Sequence, residues 1–330
     1  MSTRQLVSVL IPVYNREDMI VDCINSALSQ TYRNIEVIVV DNASTDNTWE
    51  ICKSNFENND KVHLFQNSKN IGPVQNWKKA INLASGFYSK ILFSDDLLLP
   101  ECLEEMIKLF SNETAFVFSS VLTGDSINNS FVNFAWGMKK TKSIEISNLK
   151  YINYSLFSYG ALVSPGAALF RTSDLRNNFI DQLPGYDNRG YSYFGAGPDL
   201  LFFLLTAIKY KYVMHIPRPL VFFRDHDDSA TTKALTDKKW PIRESYNRTR
   251  LWFVENNLGE SYISKMAARI WFTETFAEKQ YKYIIKPTAV LSQYFKPKKI
   301  SLFSFILMLP YLSFSAGKYL LRSYLFKNSS

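Results

Sequence analysis

The first hundred residues alternate between short, continuous apolar runs and stretches whose apolar positions recur every three or four residues. The runs Val7 to Val13, Ile35 to Val40, Val62 to Phe65 and Ser89 to Phe93 read as strands. Between them, Met19 to Leu28, Asp46 to Phe56 and Val74 to Ala84 read as helices with one apolar face. This alternation predicts an α/β class: a Rossmann-like, mostly parallel sheet flanked by crossover helices. A further helix is expected to start at Pro100, a residue suited to a first helical position, and to run through Phe110, with a strand at Ala115 to Ser120. Residues 121–198 are rich in Asn, Ser, Tyr and Phe and have weak periodicity. Pattern returns with an apolar helix at Leu200 to Tyr210, entered through Gly197-Pro198-Asp199, and with two strands, Tyr212 to Ile216 and Leu220 to Arg224. The chain divides accordingly into 1–120, 121–235 and a helical 236–330.

Open sheets of this class bind ligands beyond the carboxyl ends of their strands. Polar residues stand there: Pro12-Val13-Tyr14-Asn15 after the first strand, Asp41 to Asp46 after the second, Ser94-Asp95-Asp96 after the fourth. The pair Asp95-Asp96 suits a hard divalent cation that could neutralise a diphosphate. A helix-capping role fits it less well, because Leu97 to Leu99 separate the pair from Pro100 and put a leucine at the capping position. Asp41 could accept a hydrogen bond from a base N–H, or simply serve turn chemistry in a loop where Ser44 or Thr45 caps the next helix. Asp199, at a helix start, is either a cap or a partly desolvated general base. His226, beside Arg224, is either a solvated loop residue or part of a metal and phosphate site. Neither G-x-G-x-x-G after the first strand nor a G-x-x-x-x-G-K-[ST] string occurs, so dinucleotide and P-loop chemistry lose their main support.

Charge changes the picture at one end. The formal net charge is +8, and residues 280–330 carry eight basic side chains and no carboxylate, so the rest of the chain balances to zero. A neutral body with a basic, apolar tail fits a membrane surface better than nucleic acid. Ile300 to Gly317 is uncharged, yet Pro310, Gly317 and four serines argue for a segment lying in the interface rather than spanning it. Three cysteines, Cys23, Cys52 and Cys102, without C-x-x-C spacing point to a reducing compartment, and the N-terminus lacks the apolar core of a secretory signal.

Taken together, Val7-Ser-Val-Leu-Ile-Pro-Val-Tyr-Asn15, Val39-Val-Asp-Asn-Ala-Ser-Thr-Asp46, Asn70-Ile-Gly72 with Asn76, Ala84-Ser-Gly-Phe-Tyr88 and Phe93-Ser-Asp-Asp96 resemble glycosyltransferase family 2, inverting enzymes of the GT-A fold. Pro165 to Arg171, Gly197-Pro-Asp199 and Phe223-Arg-Asp-His226 with Ser229 and Thr231 extend the resemblance. It implies that Pro12, Tyr14, Asn15 and Asp41 hold the nucleotide base and ribose, and that Asn76, Lys90, Asp95 and Arg224 belong to the donor site. Asp96 and His226 would bind Mn²⁺ or Mg²⁺, and Asp199 would be the catalytic base. Residues 121–235 would then carry the acceptor side, with a mobile loop at Arg224 to Thr232. Two departures stand out: Pro198 precedes Asp199 where the family often has Glu, and Ser94 replaces the first Asp of a three-carboxylate string. The implied partners are a nucleotide-diphosphate sugar, most often UDP-linked, and a polyprenyl-diphosphate-linked glycan such as a growing O-antigen, met at the inner face of a bacterial plasma membrane by a cytoplasmic, peripheral enzyme. Competing readings are a sugar-nucleotide pyrophosphorylase, whose Gly-rich, Arg-containing first loop is missing, and a catalytically silent membrane scaffold.

Overall fold

The computed structural model describes residues 5–133, 142–157, 164–183, 196–227 and 242–277. Its first part follows the sequence pattern closely. Strands β1 (Val7–Val13), β2 (Ile35–Asp41), β3 (Val62–Gln66) and β4 (Tyr88–Ile91) alternate with helices α1 (Ile20–Leu28), α2 (Thr48–Phe56) and α3 (Pro73–Leu83). All seven residues of β1 are buried, as expected for a parallel strand covered on both faces. Its odd residues Val7, Val9, Ile11 and Val13 join one core with Ile20, Cys23, Ile24 and Ala27 of α1. Leu10 joins the opposite core with Val74, Ala80 and Ile81 of α3. Burial of each such side chain is worth roughly 1.5–3 kcal/mol, so the pleat of β1 ties both helical layers to one sheet. Pro12 fits inside this strand for a simple reason. Leu10 turns its backbone polar groups toward β4, Pro12 does the same two residues later, and pairing with β4 has already stopped at Leu10. The missing N–H of Pro12 therefore leaves no ladder bond unmade.

Beyond β4 the chain departs from the expected pattern. The remaining elements are β5 (Leu97–Leu98), α4 (Cys102–Ile107), β6 (Thr114–Gly124), β7 (Ser130–Asn133), β8 (Ile144–Ser147), α5 (Asn148–Phe157), a 3-10 turn at Pro165–Ala167, β9 (Ala168–Arg171), α6 (Thr172–Asn178), α7 (Pro198–Ala207), β10 (Tyr212–Arg224), α8 (Ile242–Asn257) and α9 (Glu260–Ala277). The sheet order is β3-β2-β1-β4-β9-β6-β10-β5, with β7 on β6 and β8 on β10. Only the first four strands form a continuous parallel block. β9 enters antiparallel between β4 and β6, so the sheet as a whole is mixed. Four residues, Ala-Leu-Phe-Arg, are too short to show a period among the polar residues around them.

The leucines after Asp96 form a strand: Leu97 and Leu98 pair with Phe222 and Val221. Two other expectations are corrected. Pro100 is not the first helical residue; α4 starts at Cys102, and the Pro100 carbonyl accepts a bond from the Thr31 N–H at 2.8 Å. The two strands expected around residue 217 are one, β10, whose register against β6 shifts between Ile216 and Val221, where Pro217 and Pro219 cannot donate to the ladder.

α7 is apolar almost all round and buried almost throughout, because α5, α6, α8 and β6 pack around it. α8 and α9 supply Leu251, Phe253, Val254, Met266, Ala267, Ala268 and Ile270 to the same core, so the described part of 236–330 is integral to the body. No helix among the described residues is long and apolar enough to cross a membrane. The tail from Ile300 to Gly317, Ser229, Thr231 and most of the loop expected to move lie outside the described residues.

Candidate active site

The strand order reverses at β1: β2 and β3 lie on one side, β4 on the other. A crevice opens at the carboxyl ends of such neighbours, and two loops converge there. Asn15 takes a left-handed backbone at φ 50° and Ala43 one at φ 57°, conformations that non-glycine residues adopt at a cost of order 1–3 kcal/mol. Reciprocal bonds hold them. The Asn15 N–H donates to Ser44 Oγ at 2.9 Å, the Thr45 N–H to Asn15 Oδ1 at 2.8 Å, and the Arg16 N–H to Thr48 Oγ1 at 2.8 Å. Asp46 joins the two loops, accepting from the Glu17 N–H at 3.2 Å and from the Thr48 N–H at 3.0 Å. The start of α2 is thus served by Asp46 rather than by Ser44 or Thr45. Tyr14, directly before Asn15, is 40% exposed.

Asp41 is fully buried. Its carboxylate accepts from Ser44 Oγ, from the Ser44 N–H at 3.1 Å and from Gln66 Nε2 at 3.1 Å, which is the turn chemistry the sequence allowed for. Behind it, Asn67 Nδ2 donates to Asn42 Oδ1 at 3.0 Å and to Asn76 Oδ1 at 2.9 Å, while Asn76 Nδ2 donates to the Val40 carbonyl at 2.8 Å. Asn76 therefore supports the loops from within. Lys90 also points inward: its Nζ donates to the Gly166 carbonyl, and burial lowers its pKa to about 8. The structure thus sets Asn76 and Lys90 behind the crevice, not on its surface.

Asp95, Asp96, Arg224 and His226 do come together. The Arg224 N–H donates to Asp96 Oδ1 at 3.1 Å, Arg224 Nε to the Asp95 carbonyl at 3.2 Å, and His226 Nε2 lies 3.1 Å from Asp95 Oδ2. Pairing of β5 with β10 explains this meeting, because it delivers the end of β10 back to the turn before Leu97. Arg16 adds a second guanidinium, 3.6 Å from Asp95 Oδ2; it directly follows the loop motif, and sequence reasoning passed over it. Burial, followed by the neighbouring Asp95 carboxylate, pushes Asp96 well above the ordinary carboxylate range. A cation placed there would reverse that direction.

Among the described residues, no group of three or more His, Cys, Asp and Glu side chains is disposed to hold a metal ion. A cation that takes one or two protein donors and completes its shell with substrate phosphates, as Mg²⁺ does, needs no such group. Asp96 and His226 would be the protein donors.

Asp199 forms a separate group. Gly197, at φ 117°, ends the incoming segment, Pro198 opens α7, and Asp199 follows. Its Oδ1 accepts from the Gly197 and Leu200 N–H groups, each at 2.7 Å, and its Oδ2 from the Tyr246 hydroxyl at 2.6 Å. Burial raises its pKa to about 6, against the lowering effect of those three donors. Asp199 is thus both a helix-terminus acceptor and a carboxylate poised near neutrality. Nothing in the sequence marked Tyr246, which arrives from α8.

The folded architecture is shared with solved structures. A Staphylococcus aureus TarS fragment, residues 1–349, in complex with UDP-GlcNAc superposes with a TM-score of 0.61 at 21% identity over 83% of this chain and 74% of that one. The same fragment with UDP gives a TM-score of 0.61 at 19% identity over 92% and 81%. These likenesses show a GT-A fold. Among curated proteins, the chain is 34% identical to the glycosyltransferase GlyG of Streptococcus pneumoniae over 113 residues, 34% of this chain and 38% of that protein. It is 36% identical over 112 residues to the Escherichia coli protein named UDP-Glc:alpha-D-GlcNAc-diphosphoundecaprenol beta-1,3-glucosyltransferase WfaP, covering 34% of this chain and 44% of that one. The matches therefore span less than half the length of these relatives. The model of glycosyl transferase family 2 matches residues 8–179, from the first strand through the helix after β9, and the chain belongs to that family.

Proposed function

We propose that the chain is an inverting, metal-dependent glycosyltransferase. It would move a sugar from a nucleotide-diphosphate donor, a UDP-sugar, to a hydroxyl of a growing lipid-linked surface polysaccharide such as an O-antigen, at the inner face of a bacterial plasma membrane. One observation carries the reading: at the topological switch point, Arg16 and Arg224 flank the Asp95-Asp96-His226 cluster beside the exposed ring of Tyr14. Two guanidiniums suit a diphosphate, and an aromatic face suits a base. The UDP and UDP-GlcNAc complexes of TarS and the UDP-Glc and diphosphoundecaprenol in the name of WfaP support this choice of donor and acceptor. The basic, apolar tail at 280–330 supports a membrane surface and no nucleic acid.

The geometry supports a role for each residue. Tyr14 and the locked loop at Asn15 would receive the base and ribose, with Asp41 and Asn76 fixing that loop. Arg16 and Arg224 would meet the diphosphate, and Asp96 with His226 would hold Mn²⁺ or Mg²⁺, which when bound would neutralise the leaving diphosphate. Asp199 Oδ2 keeps a lone pair besides the one used by Tyr246 and would take the proton of the acceptor hydroxyl as its oxygen attacks the anomeric carbon. A single displacement of this kind inverts the anomeric configuration.

The test is a thermal-shift series with UDP, dTDP, GDP and CDP, with Mn²⁺ or with EDTA, followed by assay of nucleoside diphosphate release from UDP-sugars. Stabilisation by UDP that needs Mn²⁺, together with metal-dependent release of UDP, is the expected result. Release of a sugar 1-phosphate with pyrophosphate present would mean a pyrophosphorylase, and binding without release would mean a silent scaffold.

A further inference from the structure

The family model ends at residue 179, and both Asp199 and the helix that contacts it lie beyond it. Two consecutive residues of α8 grip the start of α7. Ser245 Oγ donates to the Ala196 carbonyl at 2.6 Å, and Tyr246 donates its hydroxyl to Asp199 Oδ2 at 2.6 Å. The Tyr246 ring is itself held, with the Arg250 guanidinium 5.5 Å from its centre, while Arg250 Nε donates to the Ser155 carbonyl of α5 at 3.0 Å. We infer that Tyr246, seconded by Ser245, is the positioning residue for Asp199, fixing which carboxylate oxygen faces the acceptor and how basic it is. This rests on the reading of Asp199 as the base.

With both Oδ1 bonds fixed by backbone, Asp199 has only Oδ2 left for chemistry, and the Tyr246 bond leaves Oδ2 one lone pair in a defined direction. The same bond stabilises the ionised form in a site that otherwise disfavours charge. Among the described residues, the other groups facing Asp199 are few. Arg250 of α8 favours its charge, and Tyr151 of α5 is a buried phenol whose own pKa Asp199 helps to raise. On α6, Asp174 is engaged by Tyr210, and Arg176 by the carbonyls of Ile81, Asn82 and Ala84. β6 contributes no ionisable side chain. Burial and the Asp199 charge keep the Tyr246 phenol protonated, so it remains a donor.

Tyr246→Phe removes the hydroxyl and keeps the ring. UDP release from UDP-glucose and UDP-GlcNAc with Mn²⁺ would be followed across pH, and the Asp199 carboxyl would be titrated by ¹³C NMR, its signal identified by its loss in Asp199→Asn. The expected result is a midpoint and an acidic limb moved to higher pH, release at pH 7 lowered roughly tenfold to a hundredfold, as for loss of a bond to a charged group, and an unchanged donor KM. Ser245→Ala should move both in the same direction by less, and it serves if the phenylalanine variant folds poorly. An unmoved midpoint, or release equal to the parent at pH 7, would overturn the inference. Full release by Asp199→Asn would instead overturn the underlying assignment, whatever Tyr246→Phe does.

Discussion

His226 Nε2 stands 3.1 Å from Asp95 Oδ2, although 131 positions separate the two residues in the chain. The contact closes the end of β10 over the turn after β4 and brings the imidazole to the carboxylate pair. If the imidazole also ligates a metal, it must leave Asp95 or turn its other nitrogen outward. His226→Ala should therefore weaken Mn²⁺-dependent stabilisation by UDP at least tenfold in apparent affinity while leaving UDP binding in EDTA unchanged, as read by calorimetric titration in both conditions.

Asp96→Asn is expected to abolish UDP release and the metal requirement of donor binding without lowering the melting temperature. Asp96 is buried and its ionised form is disfavoured there, so replacing it with a neutral isostere costs the fold little. Because the folded pKa is raised, the ionised carboxyl costs stability as pH rises past its ordinary range. The melting-temperature gain of the variant over the parent should thus be larger at pH 8 than at pH 4.

For Asp199→Asn, turnover should fall by roughly a hundredfold to ten-thousandfold, with donor and metal binding retained. The folded pKa of about 6 lies above the ordinary value of 3.8, so the ionised group costs the parent stability progressively between those pH values. Thermal melts of both proteins at pH 4 and pH 8 should show the variant gaining on the parent at the higher pH. Normal turnover with an early melt would show that the side chain only supports the helix start.

Asn76→Ala would remove one of the two bonds that Asn67 Nδ2 donates and the side-chain donor to the Val40 carbonyl. A loss of about 1–3 kcal/mol is expected in urea unfolding, with a raised KM for the donor and little change in kcat, since the residue supports the loop from behind.

Removal of residues 296–330 should abolish sedimentation with anionic liposomes and leave UDP release from a UDP-sugar intact. An insoluble product would mean that the apolar positions of the tail are part of the core, and resistance of the full chain to alkaline carbonate extraction would mean a true span.

Much of this was legible in the sequence because β1, β2 and β4 are covered on both faces. Their continuous apolar runs mark their ends, and Tyr14, Asn15, Asp41, Asp95 and Asp96 follow those ends directly. Legibility failed where position depends on partners far along the chain. Lys90 sits in a strand like its neighbours, and only the carbonyl of Gly166 reveals that its amine points inward. β9 is four residues long and owes its place to two flanking strands rather than to any period of its own. Arg16 needed only a look one residue past the motif, whereas Tyr246 offered no signal, lying on a helix whose contact with Asp199 exists only after folding.

The antiparallel placement of β9 also bears on how the protein is made. A ribosome delivers β1 to β4 first, a parallel block whose strands pair only with one another until later segments arrive. Until residues 168–171 emerge, the outer side of β4 and the facing side of β6 are open edges, rows of unpaired amides and carbonyls of the kind that recruit strands from other chains. A nascent chain paused before β9 is therefore the species most in need of chaperone cover; a fragment intended for isolated study has to extend through Arg171 to close these two edges, and through Arg224 to cover the far side of β6.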